Sequence, residues 1–193
     1  MAEFGKWLSF LQDWEGGFSD DKADRGGQTK YGVTLATYTA LAPSILREQN
    51  PTAEKHKNLS PSDASRIILY YWNKVEGSRI NDQALANALA DWYFHSGFWA
   101  VHNLHKVLNK NFGTSLPVSK KEGGKWKPVT FSEKSLTAVN SANPSALFDY
   151  LSKERESFLR HIVTKDATQE RFLNGWLNRL NDLVKKKGFG AEQ

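Results

Sequence analysis

The sequence predicts a mainly α fold: a helical bundle with a small β element near residues 17–33 and a β-hairpin near 118–130. Three observations carry this. Apolar residues recur at spacings of three and four along most of the chain, first at Phe4, Trp7, Leu8, Leu11 and Trp14. Helix-start signals stand at Ser60-Pro61-Ser62-Asp63 and Asn143-Pro144. Two Gly-bearing stretches, 16–33 and 116–131, interrupt the helical pattern. The 193 residues suffice for one domain with a real core, and the absence of a convincing linker predicts one compact unit with two lobes, 1–80 and 81–193.

The first helix presents one apolar face and stops at Gly16-Gly17, glycine being the usual helix terminator. Phe18–Val33 is too rich in glycine for a helix, and its weak alternation suggests short strands or ordered loops. Thr34–Leu41 reads as a short helix that ends before Pro43, and 43–60 as a polar loop. Ser60 then caps a helix through Ile67, Ile68, Tyr71 and Trp72. Another starts near Asn81-Asp82 and carries Leu85, Ala88, Leu89 and Trp92. Gly97 interrupts, and Trp99–Leu108 continues. The segment LPVSKKEGGKWKPVTF reads as two strands around Gly123-Gly124. Thr130 with Glu133 has the spacing of a capping box. Asn143-Pro144 opens a helix with Leu147, Leu151, Phe158 and Ile162, and a last one runs from about Gln169 to Gly188.

Composition excludes several classes. There is no Cys, so disulfides and thiolate metal sites are ruled out. No run of about 18 apolar residues exists, which predicts no membrane span. The N-terminal MAEFGKWLSFLQDWEGG lacks a basic n-region and a cleavage site, so it reads as a helix of the fold rather than a signal peptide. Charge is uneven: residues 1–100 hold 10 Lys+Arg against 12 Asp+Glu, whereas 101–193 hold 16 against 9. The basic half suits an anionic surface such as a cell wall, or a solvated helix face. A nucleic-acid binder is disfavoured, because no basic recognition helix with base-reading side chains is present. His95, His102 and His105 lack the H-E-x-x-H spacing of zinc, and no P-loop, dinucleotide fingerprint or G-x-S-x-G motif occurs. No cofactor is implied. The sequence contains seven Trp; Trp92, Trp99 and Trp176, with Tyr93, fall mostly at core positions, while Trp also makes stacking surfaces for sugars.

The chemistry concentrates in WEGGFSDDKADRGGQTKYGVT, which holds five Gly beside Glu15, Asp20, Asp21 and Asp24. Glu15 follows the apolar face at the end of a helix. Apolar surroundings and the negative end of the helix dipole both favour its protonated form, as a general acid requires. Gly16 and Gly17 leave room for a bulky substrate. Asp24, nine residues on, lies in a polar loop bracketed by glycines that keeps it ionised, with Asp20 and Asp21 as alternates. Two carboxyls in contrasting surroundings are what glycoside hydrolysis needs. Thr29 supplies a hydroxyl for a water, and Tyr31 an aromatic face for substrate. A calcium loop fails on spacing, since Lys22 falls in a ligand slot and no Glu follows at the twelfth position. On composition alone, a merely acidic, turn-rich loop is the competing reading.

EGGFSDDKADRGGQTKYGVT resembles the signature of glycoside hydrolase family 108, bacterial and phage lysozyme-like N-acetylmuramidases, some of which carry the name secretion activator. Glu15, Gly16, Gly17, Asp24, Gly26, Gly27, Thr29, Gly32 and Val33 match in register. The resemblance implies a lysozyme-like α+β fold and gives Glu15 the family's catalytic role. It implies cleavage of the β-1,4 bond between N-acetylmuramic acid and N-acetylglucosamine in peptidoglycan at the bacterial wall. The spacing from Glu15 to Asp24 is also similar to phage lysozymes, but only four residues separate Asp24 from Thr29 where those have five. Further along, Val33–Tyr38, Tyr71-Trp72, ALADWYFHSG and ERESFLRHIV…FLNGWLNRL are similar to family segments, the third opening a predicted peptidoglycan-binding region. Asp91 and Gly97 match there, whereas His95 stands where the family has Asn, and is a candidate substrate contact. The Lys-rich hairpin of 117–130 replaces a D-G-x-x-G-like turn. A non-catalytic wall-binding or secretion-associated module of the same fold is the alternative the resemblance leaves open.

Overall fold

The first helix, α1 (Phe4–Glu15), forms because its apolar side chains share one face, and it buries Trp7, Phe10 and Leu11 completely. The computed structural model describes residues 1–15, the backbone of 18–19, and 28–186. The buried face is narrower than the sequence suggests. Trp14, expected on it, is 37% exposed, and Phe10 fills the core instead. The chain forms two compact units, Phe4–Asn73 and Lys74–Gln193 with Met1–Glu3.

Among the described residues of the smaller unit, α1 is followed by three two-residue strands, β1 (Phe18–Ser19), β2 (Thr29–Lys30) and β3 (Val33–Thr34), in one antiparallel sheet. Helices α2 (Leu35–Ile45), α3 (Ala53–Lys57) and α4 (Pro61–Lys74) follow. Trp72 of α4 stacks on Trp7 with ring centroids 5.9 Å apart and planes 19° off parallel. Phe4 meets both rings edge-on at 6.0 Å. These three aromatics hold α1 on α4, and burying each of the two indoles removes on the order of 200 Å² from water.

Two local expectations are corrected here. Helix α2 runs through Pro43 to Ile45 rather than stopping before it. Pro43 falls in the last turn, where its missing N–H costs a single bond, and the turn still closes through Leu46 N–H donating to Ala42 O at 2.9 Å. The polar stretch 43–60 contains α3, too short to show a period, which starts where Thr52 Oγ1 accepts from Lys55 N–H at 3.2 Å. The Ser60 cap is as expected, its Oγ accepting from Asp63 N–H at 3.1 Å.

The larger unit contains α5 (Gln83–Ser96), α6 (Phe98–Asn111), α7 (Glu133–Ser141), α8 (Pro144–Lys165) and α9 (Glu170–Lys185). Asp82 caps α5, and Gly97, at φ +55°, makes the bend into α6. Helix α8 packs against α5, α6 and α9. The N-terminus joins this unit through Ala2 N–H to Ile80 O at 2.9 Å and Glu3 N–H to Gln83 Oε1 at 2.7 Å. The hairpin is β4 (Lys120–Glu122) with β5 (Lys125–Lys127), and its turn glycines, Gly123 and Gly124, both have positive φ. The cap of α7 is Ser132 with Ser135 rather than Thr130 with Glu133. Glu133 instead pairs with Arg79, and Ser135 Oγ also lies 2.7 Å from buried His105 Nε2.

A buried ion cluster ties the unit together. Asp91 of α5, fully buried, accepts from Arg155 Nη2 of α8 at 2.8 Å and Arg179 Nη2 of α9 at 2.7 Å. Burial alone would raise the Asp91 carboxyl, but Arg179 and Arg155 outweigh it and hold the group well below the usual carboxylate range. Burial in turn pulls the Arg155 guanidinium down, which the Asp91 charge opposes. A carboxyl depressed in the folded state contributes stability above its unfolded value of about 3.9, and that contribution is lost as pH falls toward the folded value. Asp91→Asn therefore costs about 3–5 kcal/mol at pH 7, because two buried guanidiniums lose their counter-charge. Urea unfolding at pH 7 and pH 3 checks this. The variant should be flatter than wild type below pH 4, and equal stability at pH 7 contradicts the role.

Candidate active site

Glu15 is the last residue of α1 and is half-buried. Its neighbour across the fold is the β2–β3 hairpin, where Lys30 pairs with Val33 and Thr29 with Thr34, leaving Tyr31-Gly32 as a two-residue turn. Both turn residues have positive φ, 50° at Tyr31 and 79° at Gly32, which is the primed geometry that matches strand twist. Gly32 meets it without strain. Tyr31 takes the left-handed conformation at a cost, and such a conformation persists only where the surroundings impose it.

The surroundings do impose it. Val33 is buried, and its carbonyl accepts from His56 Nε2–H at 2.8 Å. His56 is itself fully buried against Tyr38, with ring centroids 5.5 Å apart. Leu35 N–H closes the base of the hairpin on Gln28 O at 2.8 Å, and Thr34 Oγ1 caps α2 through Thr37 N–H at 3.1 Å. The hairpin is thereby held from β3, α2 and α3 at once.

The turn lies directly on the Glu15 side chain. A Cβ at Gly32 would come within 2.9 Å of Glu15 Cγ and 3.2 Å of its Cβ. Gly32 is thus required twice, by its backbone angle and by the carboxyl stem occupying the space a side chain would need. Thr29 and Tyr31 are half-buried on the same hairpin, and Lys30 Nζ lies 4.9 Å from the Tyr31 ring centroid. Glu15, Thr29 and Tyr31 therefore come from one local assembly. Gly16, Gly17 and Asp24 lie outside the described residues, as do the alternates Asp20 and Asp21.

His95 belongs to the other unit, in the last turn of α5. Its Nδ1–H donates to Asp91 O at 2.7 Å, and Nδ1 is 3.8 Å from Asp91 Oδ2. With Trp176, Arg155 and Arg179 it lines a pocket of about 140 Å³. Of the aromatics expected mainly in the core, Trp92 is buried, whereas Tyr93, Trp99 and Trp176 are half-buried. The sequence reading missed His56, which carries the site hairpin. Its signal was faint: a single His in a polar stretch. It also missed the ion cluster behind Asp91.

A mainly α architecture with a short antiparallel sheet beside a helix-terminal glutamate is lysozyme-like. Residues 8–97 match the Glycosyl hydrolase 108 family, and residues 130–181 match the Predicted Peptidoglycan domain. The first match spans the region that holds Glu15, and the second lies in the helices that follow the hairpin. It is similar to the solved structure of Brucella abortus SagA, with a TM-score of 0.71 and 26% identity, covering 95% of this chain and 92% of that one. No curated protein matches it. The function is therefore peptidoglycan-related and lysozyme-like, that of a glycoside hydrolase acting at the cell wall. Among the described residues no helix is long and apolar enough to cross a membrane.

The contact between Gly32 and Glu15 makes a direct test. Gly32→Ala carries about 1–2 kcal/mol of left-handed strain and must also push Glu15 aside. Gly113→Ala carries the strain alone, since Gly113 has φ +68° and a methyl group there would meet nothing within 4 Å. Both variants should melt lower, but only Gly32→Ala should lose wall hydrolysis, by about tenfold or more, the scale on which misplacing a reacting group is felt. Equal rates in the two would sink the view that the turn positions Glu15.

Proposed function

We propose that the protein is an N-acetylmuramidase in which Glu15 is the proton donor. The observation that carries this reading is the Glu15 side chain at the end of α1, packed so closely on Gly32 that a Cβ there would come within 2.9 Å of Glu15 Cγ. The carboxyl gives its proton to the oxygen of the β-1,4 bond between N-acetylmuramic acid and N-acetylglucosamine. The bond from that oxygen to the muramic acid anomeric carbon breaks, positive charge builds on the sugar ring, and water supplies hydroxide to the anomeric carbon. A second carboxylate is needed to balance that charge or to take the proton from water, and Asp24 is the candidate by its nine-residue spacing. Thr29 would hold the water, and Tyr31 and His95 would contact the glycan. Gly16 and Gly17 would leave space for it. No cofactor enters the reaction.

A glutamate fixed from two sides suits transfer of a proton at one atom, because general acid catalysis depends on geometry first and acidity second. A module that only binds the wall gains nothing from such an arrangement. The basic half of the chain supports attraction to the anionic wall, an effect screened over about 10 Å at 0.1 M salt.

Glu15→Gln keeps the shape of the side chain and removes the proton. The rate of reducing-end release from purified peptidoglycan should fall by about a hundred- to ten-thousand-fold, with the melting temperature unchanged within a few degrees. A folded variant within threefold of wild type would mean that the chain binds walls without Glu15 chemistry.

A further inference from the structure

The β4–β5 hairpin buries nothing of its own. All six strand residues are exposed, and four of them are lysines, Lys120, Lys121, Lys125 and Lys127. A two-stranded ribbon is at best marginally stable alone, yet this one is anchored at its base. Ser119 N–H donates to His102 Nδ1 at 3.1 Å, and Val129 N–H donates to Ser119 Oγ at 3.0 Å. What the anchoring achieves is the position of Trp126. This residue is 44% exposed, and its ring meets Trp99 of α6 edge-on, with centroids 4.8 Å apart and planes at 73°. His102 stands 6.1 Å from the same ring.

Behind these rings is a pocket of about 540 Å³, walled by α6, α8 and Trp126. Its apolar side is Trp99, Trp126 and Phe158. Its polar side is the Lys106–Glu154 pair, at 3.0 Å, with His102 and Ser157. Burial and the nearby Lys106 charge hold His102 below the usual imidazole range, so the ring is neutral at pH 7. With Nδ1 accepting from Ser119, its proton resides on Nε2 and can be donated. The volume lies in the range of small-ligand sites. Flat indole faces beside alternating donors and acceptors suit a sugar ring, apolar on its C–H faces and hydroxylated at its edge. One wall, α8, falls in the predicted peptidoglycan region, whereas α6 and the hairpin lie between the two matched regions.

We propose that the Trp99–Trp126 pocket is a glycan subsite that holds an N-acetylated hexosamine of the peptidoglycan strand by stacking on Trp126. The proposal rests on peptidoglycan as the substrate, and it assigns the hairpin two jobs: lysines for attraction and Trp126 for grip.

The test uses full-length protein carrying Glu15→Gln, so that glycan is not consumed. The indole N–H resonance absent from the Trp126→Phe spectrum belongs to Trp126. Peptide-free glycan strands should shift that resonance saturably, and the shift should survive 0.5 M NaCl, since stacking is not screened. Free stem peptide should leave it unmoved. Trp126→Ala should weaken binding to the strands at least fivefold, with Trp126→Phe within about threefold of the parent; the exposed hairpin lets both variants fold, which a melting curve confirms. A Trp126 signal that responds to stem peptide and not to glycan overturns the proposal, as does undiminished glycan binding by Trp126→Ala. Wild-type hydrolysis, measured separately by reducing-end release, keeps the two readings apart. Hydrolysis without a Trp126 response removes only the subsite, and a Trp126 response without hydrolysis removes only the muramidase reading.

Discussion

The candidate site depends on an absence of atoms at residue 32. Any Cβ there would come within 2.9 Å of Glu15 Cγ, closer than real Cβ atoms approach a neighbour. The same position has φ +79°, which L side chains rarely adopt. Helix end and hairpin turn therefore fit together only with glycine between them. Once they do, the Glu15 stem has a backbone floor under it, and its freedom to swing is reduced before any substrate arrives. Fixed geometry of this kind is where catalytic proton transfer gains over the same carboxyl in solution.

The support behind that turn is layered. His56 grips Val33 O from α3, Thr34 caps α2, and α1 is clamped to α4 by the Trp7–Trp72 stack. Tyr31 retains a conformation that costs energy because its neighbours on both sides are pinned. The larger unit uses different means. Its interior holds one carboxylate shared between two arginines, which links α5 to α8 and α9, and removing Asp91 would leave two buried guanidiniums without their counter-charge.

The features legible in the sequence are the local ones. A helix of one apolar face, a Gly-Gly stop, a glutamate at the stop and a Gly-rich return occupy adjacent positions, so Glu15 could be singled out from residues 4–34 alone. The caps at Ser60, Asp82 and Asn143 and the Gly123-Gly124 hairpin were legible for the same reason. The pairing of Asp91 with Arg179 was not, because the two lie 88 residues apart and no local pattern links them. His56 was hidden in a five-residue helix too short to show a period. Trp14 was misassigned because spacing by three and four gives the direction of a face and not its edge. Trp126 was passed over among the hairpin lysines, since nothing in a linear pattern reveals that α6 brings Trp99 beneath it.

Under the proposed function the two units divide the labour. The unit with Glu15 would supply the acid, its side chain held against the Gly32 turn, and the basic unit carries a lysine-bearing ribbon, an aromatic pocket and the predicted peptidoglycan region. The measurement that bears most directly on the account is mass spectrometry of the fragments that the wild-type protein releases from purified peptidoglycan. Fragments ending in reducing N-acetylmuramic acid are the predicted result. Fragments ending in reducing N-acetylglucosamine, or free peptides with intact glycan strands, would contradict it.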